Sequence, residues 1–372
     1  MRVLSVQLRD FRTYARAEAH VGDGLTIVHG PNGAGKSNLL EALYYGCTAR
    51  SPRTRNEREL VSFGARATRV SVRLLDGSAP HELSVGFGAP ADGAQAVKRM
   101  TADGAPVERL LDVEARPLVS VFLPDRLELL KGPPALRRAH LDQVIAAIWP
   151  ARADARREYS RVLAQRNALL GRIRGGRASD STLPTWDREL ATRALELRAN
   201  RAEAVALLAE PFQQRAAVLG CNGELALEYR PRSRADGVEG LMAELRERLP
   251  GDLERGFTGH GPHRDELAIV RDRRELRVYG SQGEQRLALL ALLLAERAVL
   301  AAHRSHTPLM LLDDVMSELD EQRRELLAGE LRSGGQSVIA TTDLAHVPGA
   351  TDVSVARLRI SPGVVLQEAL AA

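Results

Sequence analysis

A glycine-rich octapeptide, Gly30-Pro31-Asn32-Gly33-Ala34-Gly35-Lys36-Ser37, constrains this chain more tightly than any other stretch. It satisfies G-x-x-x-x-G-K-[ST] at every fixed position, and its flanks have the character that pattern requires. Gly24-Leu25-Thr26-Ile27-Val28-His29 reads as a short buried strand, and residues 37–44 have helical spacing with no Pro or Gly before Gly46. Glycine lets successive backbone N–H groups converge on an anion, and the start of the next helix adds its positive dipole end. Gly30, Pro31, Asn32, Gly33, Ala34, Gly35, Lys36, Ser37 and Asn38 are therefore expected to cradle a nucleoside triphosphate. Lys36 would reach its β/γ-phosphates, and the Ser37 hydroxyl would hold Mg²⁺. The chain has three lysines among its 52 basic residues. A compact ammonium has thus been kept at the one place where an arginine fork does not substitute for it.

The second half of such a site lies far downstream. Leu309-Met310-Leu311-Leu312 is an apolar strand that ends in Asp313-Asp314. A strand of this kind pins its last residues at the phosphate end of a sheet. Asp313 is expected to hold Mg²⁺ through water, and Asp314 to polarise the attacking water as a general base. Upstream of it, Tyr279-Gly280-Ser281-Gln282-Gly283-Glu284-Gln285 opens a helix, where a serine hydroxyl and backbone amides make a second anion site.

Between these motifs the character of the chain changes twice. Residues 3–8, 70–75, 82–87 and 97–101 alternate as strands, and Asp76-Gly77 and Asp103-Gly104 supply hairpin turns. From 133 to 220 the pattern is helical. Pro133-Pro134 can start a helix, 137–148 is amphipathic, and 151–170 sets Tyr159, Val162, Leu163, Leu169 and Leu170 on one stripe. Residues 186–208 return along Leu190, Ala194, Leu197, Arg201, Ala204 and Leu208, a near-heptad seam interrupted by Arg201, before Pro211 ends or kinks the helix. About 20 helical residues make an arm roughly 30 Å long. Beyond 220, residues 224–229, 267–270, 276–279, 337–341, 353–360 and 364–367 read as strands, and 238–249, 285–299 and 321–331 as helices. The expected fold is α/β: a P-loop ATPase head, 1–132 with 221–372, interrupted by a short antiparallel helical arm, 133–220.

Composition narrows the function. A hydrophobic content of 44% suffices for a core, while no apolar run reaches the ~18 residues of a membrane span. Cys47 and Cys221 have no metal-ligand spacing, so a reducing cytoplasm is expected. A net charge of +4 and a pI near 9.3 permit nucleic-acid contact without demanding it. Aromatic residues at 4% disfavour a base-stacking single-strand groove. Arg50, Arg53, Arg55 and Arg58 crowd one loop. They either grip phosphates or form a solvated surface offset by Glu57 and Glu59.

The order of these features resembles the SMC-like family of ABC-type ATPases: P-loop, helical insertion, Ser-x-Gly signature, carboxylate-ended strand, then Ser317-Glu318-Leu319-Asp320. Residues 279–285 are similar to the family's Leu-Ser-Gly-Gly-Gln signature; Gly280 and Gln282 depart from it, and either Glu284 or Gln285 takes the last position. The resemblance implies that Ser281, Gln282, Gly283, Glu284 and Gln285 of one subunit cap ATP held by the other, and that Ser317, Glu318, Leu319 and Asp320 form a D-loop across that interface. The family's switch histidine is absent; Thr342 or Asp343 stands nearest that position.

The short arm without a Cys-x-x-Cys hook narrows the resemblance to a bacterial recombination branch of the family. Phe11-Arg12, Phe122-Leu123-Pro124-Asp125, Leu141-Asp142, Gln165-Arg166-Asn167, Trp186-Asp187 and Gly259-His260-Gly261-Pro262-His263-Arg264 are similar to motifs of that branch, in the same order. The resemblance implies a cytoplasmic protein of DNA replication, recombination and repair with ATP and Mg²⁺ as cofactors. It implies binding to double-stranded DNA near gap junctions, an ATP-driven homodimer, cooperation with RecR and RecO in loading RecA, and support of the SOS response. Hydrolysis would be weak, DNA-stimulated and slow enough to serve as a reset. His263 and Arg264 fit either a nucleotide or interface role or a structural turn. A transporter ATPase would need a membrane partner, a tethering protein a far longer coiled coil, and a P-loop kinase an acceptor site.

Overall fold

The computed structural model describes residues 1–88, 96–123, 127–304 and 306–368. Pro124 and Asp125 lie outside the described residues. By internal contact the chain forms two compact units, one of residues 1–126, 218–220 and 300–372, the other of 127–217 and 221–299.

In the first unit, β1 (Arg2–Phe11) and β2 (Tyr14–His20) form a hairpin, and β3 (Leu25–His29) leads into the P-loop and α1 (Lys36–Thr48). Strands β4 (Ala67–Asp76), β5 (Ala79–Gly88), β6 (Val97–Ala102) and β7 (Ala105–Pro106) follow, then β8 (Val119–Phe122). The expected turns are real: Gly77, Asp103 and Gly104 all have positive φ. Strands β2, β1, β4, β5, β6 and β7 lie in that order in one antiparallel sheet. Its alternating pattern is a half-buried one: Val6, Leu8, Val70, Val72, Leu83 and Val85 are at most 2% exposed, each worth about 1.5–3 kcal/mol on burial. Helix α1 lies against this face. A Cβ on Gly46 would meet Val72 Cγ2 at 2.4 Å, so the helix approaches the sheet only because that residue has no side chain.

The second unit begins with α2 (Glu128–Lys131), α3 (Pro134–Ile148), α4 (Ala155–Arg174) and α5 (Leu183–Val218). Strand β9 (Leu225–Arg230), α6 (Val238–Glu247), α7 (Leu249–Arg255), β10 (Glu266–Arg271), β11 (Arg274–Glu275), α8 (Leu276–Tyr279) and α9 (Gln282–His303) follow. Residues 221–299 thus group with the arm helices, whereas the sequence reading assigns them to the head. The reason is packing. Tyr159, Val162, Leu190, Ala194 and Leu197 share a core cluster with Leu241, Met242 and Leu245.

Ion pairs reinforce that grouping. Arg166 is fully buried; its Nε donates to Asp187 Oδ1 (2.7 Å), and its Nη1 donates to Asp252 Oδ2 (3.0 Å) and Thr258 Oγ1 (2.7 Å). Arg201, the residue that interrupts the seam, is 3% exposed and donates from Nε and Nη2 to both oxygens of Asp142 at 2.8 and 3.0 Å. Stripping one partner from such a buried pair leaves an uncompensated charge, at a cost of about 3–5 kcal/mol. Arg166, Asp187 and Asp142, residues of the quoted family motifs, are therefore held in two buried clusters, one around Arg166 and one around Arg201.

Two local expectations are corrected, and of the two alternatives for Pro211 one is set aside: Pro211 sits inside α5, which continues to Val218 rather than ending. Residues 276–279 form a helical turn, not a strand: Gly280 N–H closes onto Leu276 O at 2.9 Å, and the Gln285 amide holds neighbouring carbonyls. The last parallel strand starts at Ala356 rather than 353, because residues 349–355 are taken up by turns that leave Val353 66% exposed.

The chain then returns to the first unit with β12 (Leu309–Asp313), α10 (Glu321–Ser333), β13 (Ser337–Thr341), β14 (Ala356–Ser361) and β15 (Val364–Glu368). Its second sheet has the order β15-β14-β3-β13-β12-β8. Pairing is parallel from β14 to β8, and β15 adds an antiparallel edge. Strands β12 and β13 are buried at every residue, as continuous apolar runs in a parallel sheet should be. The register pairs Thr341 with His29 and Asp313 with Ala340. This brings the carboxyl end of β12 level with the P-loop that follows β3. No helix among the described residues is long and apolar enough to cross a membrane.

Candidate nucleotide site

The P-loop is shaped by three glycines with positive φ, Gly30, Gly33 and Gly35. At Gly30 a Cβ would lie 2.3 Å from Ile360 O, so β14 forbids any side chain there. Gly35 is the N-cap of α1 and offers no side-chain cap, so the first-turn N–H groups stay open for an external anion. The loop is braced from outside by Tyr14, whose hydroxyl donates to Gly35 O at 3.0 Å.

Lys36 is 7% exposed. Its Nζ donates to Gly30 O at 2.8 Å and Pro31 O at 3.0 Å, folded back over the loop it would serve. Burial lowers its pKa, opposed by the nearby carboxylates of Asp314 and Asp313. Asp313 moves the other way: burial raises its pKa, the Ser37 hydroxyl bonded to its carboxylate lowers it, and Asp314 raises it again. Ser37 and Asp313, 276 residues apart in the chain, thus line the same cavity at the place where a cation would join them.

Asp314 has φ +48 and anchors through its N–H to Ala340 O at 3.0 Å. Its Oδ1 is buried with no hydrogen-bond partner. A buried oxygen without a donor costs free energy, and a positive φ at a non-glycine residue is strained. Both features suit a group held ready for a ligand. The cavity here has a volume of about 320 Å³, and its walls include Asn32, Gly33, Lys36, Ser37, Asp313 and Asp314.

Two further residues line it. Arg53 belongs to the loop whose arginines either grip phosphates or form a solvated surface. Its Nη1 instead donates to Asn38 Oδ1 at 3.0 Å and pairs with Glu41 Oε2 at 3.3 Å, and the residue faces the cavity. Glu41 is fully buried, accepts both Nε and Nη2 of Arg12 at 2.9 and 2.8 Å, and accepts the Ser51 hydroxyl at 2.6 Å. The sequence hint for this cluster is a carboxylate on the buried side of the P-loop helix, which demands cationic partners. Arg50, Arg55 and Arg58 are exposed. Of the two residues at the switch position, Thr342 lines the cavity, whereas the Asp343 carboxylate accepts from Ala345 N–H at 2.9 Å.

The signature residues lie in the second unit, at the start of α9. Ser281, Gln282 and Gly283 are exposed. Ser281 Oγ accepts from Glu284 N–H at 3.3 Å, while Glu284 Oε2 accepts from Ser281 N–H at 2.8 Å, a reciprocal capping box. The Ser281 backbone bond, with Arg271 as ion-pair partner, holds the Glu284 carboxyl below its usual range. Gln285 is buried, and its Nε2 donates to Leu276 O, Arg277 O and Gly280 O at 3.0–3.3 Å. Glu284 and Gln285 both shape the turn, and Ser281 is the residue it displays.

In the stretch after β12, Ser317 Oγ donates to Asp314 O at 2.9 Å. Leu319 is buried, Glu318 is exposed, and the Asp320 carboxylate caps α10 by accepting from Arg323 N–H at 2.9 Å. His263 is a turn residue of the second unit. Its Nδ1 meets the Tyr159 hydroxyl at 2.6 Å and its Nε2 meets Thr258 O at 3.0 Å. Burial lowers its pKa.

Comparison with known proteins agrees with this geometry. A family model described as "AAA domain" matches residues 5–102. DNA replication and repair protein RecF of Myxococcus xanthus is 38% identical over 362 residues, covering 94% of this chain and 93% of that protein. The RecF of Streptomyces avermitilis is 37% identical over 387 residues, with 98% and 99% covered. Among solved structures, the recombination mediator protein RecF-ATPrS in the RecFOR pathway superimposes with a TM-score of 0.83 at 28% identity, covering 99% of this chain and 98% of that one. An SMC head bound to the C-winged helix domain of ScpA shares the fold, with a TM-score of 0.61 at 16% identity and 100% and 98% covered. With an ATPase-head fold, a P-loop facing two strand-end carboxylates and near-full-length identity above 30%, the chain belongs to the RecF family of DNA replication and repair proteins.

Proposed function

We propose that this protein is an ATP-dependent DNA-binding switch of recombinational repair. The observation that carries the reading is a division of labour. The P-loop, Asp313 and Asp314 occupy one cavity of the first unit, while Ser281 stands exposed at the head of a long helix in the second. A triphosphate held by Lys36, Ser37 and the loop N–H groups leaves its outer face for the signature and D-loop of another copy. ATP then acts as a shared ligand of a homodimer, and its loss on hydrolysis loosens the pair. A solved relative named as RecF-ATP supports the choice of nucleotide.

The residues fit Mg²⁺. Ser37 and Asp313 line one cavity, and burial makes Asp313 costly to keep as a lone anion. The bound ion would supply charge neutralisation between the β- and γ-phosphates. The protein's own contributions are positional. Lys36 and Arg53 bring positive charge to the cavity, the Asp314 carboxylate takes the proton of an attacking water, and Thr342 stands where related ATPases place a histidine. One such site per chain, completed only by a second chain, suits a slow, DNA-stimulated switch better than a motor.

The DNA is double-stranded, next to single-strand gaps. Family membership and the RecFOR-pathway name of the solved relative support action with RecR and RecO in RecA loading and the SOS response, in the cytoplasm and without a membrane partner. Contact through phosphates makes binding sequence-independent and steeply salt-dependent.

The test is a gel-shift series on gapped, blunt and single-stranded DNA with and without ATP, run on wild type and Asp314→Asn. Wild type should be retained on gapped duplex only with ATP. Asp314→Asn should hydrolyse at least ~100-fold more slowly, as for loss of a general base, and stay on DNA longer. ATP-independent binding by wild type, or wild-type turnover in the variant, would contradict the reading.

A further inference from the structure

The antiparallel sheet of the first unit carries an unusual row across its open face. Arg16 on β2 is directly opposite Arg9 on β1, Arg9 is opposite Arg69 on β4, Arg69 is opposite Gly86 on β5, and Gly86 is opposite Arg99 on β6. Residues directly opposite in an antiparallel ladder point to the same face. Four arginines therefore stand side by side across five strands, broken only by a glycine. All four are exposed.

Such a row works against stability. Like charges directly opposite one another repel, and a sheet selected for stability alone would alternate sign along the row. The next row shows the ordinary solution: Gln7 faces Glu18 and Ser71, and the Gln7 amide donates to Glu18 Oε1 at 3.2 Å. Among the described residues, no carboxylate pairs with Arg9, Arg16, Arg69 or Arg99. The arm arginines are mixed. Arg152, Arg157, Arg161, Arg188 and Arg193 are each paired with Asp or Glu, which partly offsets their charge, whereas Arg172, Arg174 and Arg177 are exposed with no carboxylate partner among the described residues. Gly86 leaves a shallow floor between Arg69 and Arg99, and Ala67 and Gly88, themselves opposite each other, continue it toward the sheet end. The row spans about 19 Å, four interstrand steps of about 4.8 Å. That length matches several successive phosphates of a duplex, whose charges recur every 3.4 Å of axis per strand.

We infer that the row Arg16–Arg9–Arg69–Arg99 is a phosphate-gripping surface whose occupant is the backbone of double-stranded DNA. The inference rests on the DNA-binding reading above and assigns the grip to the sheet face, in place of the loop arginines 50–58 and the arm. The repulsion within the row is relieved when a polyanion lies along it, so these residues favour the bound state over the free one.

The test compares wild type with Arg9→Gln/Arg69→Gln, full-length, with ATP, on a gapped duplex titrated between about 50 and 200 mM salt. The slope of log affinity against log salt should fall by about 1.8, that is 0.9 per lost phosphate contact, with affinity at least ~10-fold weaker. ATP binding should be unchanged, and the melting temperature equal or higher, because a like-charge pair has been removed. An unchanged slope, or weaker binding at an unchanged slope, would overturn the inference. Should the inner pair fold poorly, Arg16→Gln/Arg99→Gln gives the same reading from the ends of the row. If wild type itself fails to bind DNA, the functional reading fails; if wild type binds and both variants bind equally well, only the assignment of this face fails.

Discussion

Lys36→Ala is expected to abolish ATP binding and, with it, ATP-dependent retention on DNA. Among the described residues lining the cavity, Lys36 and Arg53 are the only cations, and Asp313 and Asp314 share it with them. Removing the ammonium leaves two carboxylates opposite a triphosphate, with Arg53 already engaged by Glu41. Charge-assisted hydrogen bonds to phosphate are the strong kind. A loss of at least ~100-fold in affinity, about 2.7 kcal/mol, is the expected scale. Lys36→Arg should do little better, because a planar fork does not replace a compact point charge over the loop carbonyls. Fluorescent-nucleotide or filter binding measures this directly, and undiminished ATP binding by Lys36→Ala would remove the cavity from consideration as the nucleotide site.

Ser281→Arg is expected to leave ATP binding by the single chain intact while blocking ATP-driven dimerisation. The residue lies at an exposed helix start in the second unit, and the P-loop lies in the first. The substitution places bulk and charge where another copy's nucleotide would dock. It also removes the hydroxyl half of the capping box formed with Glu284, which costs about 1 kcal/mol of helix stability. Ser281→Ala separates the two effects, since it loses the cap without adding bulk. Light scattering with ATP should show monomer for Ser281→Arg and a weakened dimer for Ser281→Ala. A normal dimer from the arginine variant would refute an interface at α9.

Much of this could be read from residue order, and the parts that could not have physical reasons. The P-loop and the strand ending in Asp313-Asp314 are local patterns, and parallel pairing through β13 brings them together. Alternation marked the antiparallel strands, including the two hairpin turns. Long-range packing was harder. Residues 241–245 join the arm core through Leu241, Met242 and Leu245, and nothing in their own spacing says which face they will meet. Arg201 breaks the apolar seam of its helix, and the Asp142 and Asp265 that pair with it lie 59 and 64 residues away on either side, outside any local pattern. Residues 276–279 have the composition of a strand, yet the Gln285 amide satisfies the carbonyls of a turn. Arg53 is one of four arginines on a loop, and only the burial of Glu41 explains why it pairs there beside the cavity. The row from Arg16 to Arg99 depends on register across five strands, which no single segment of sequence encodes.

The central claim is that a complete ATPase site needs two chains. The most direct measurement is ATP turnover per protomer, at saturating ATP and gapped DNA, as the protein is diluted through the range where light scattering shows the dimer dissociating. Turnover per protomer should fall with dilution, in step with the loss of dimer. Turnover that stays constant down to the monomer would mean that each chain holds a self-sufficient site, and would contradict it.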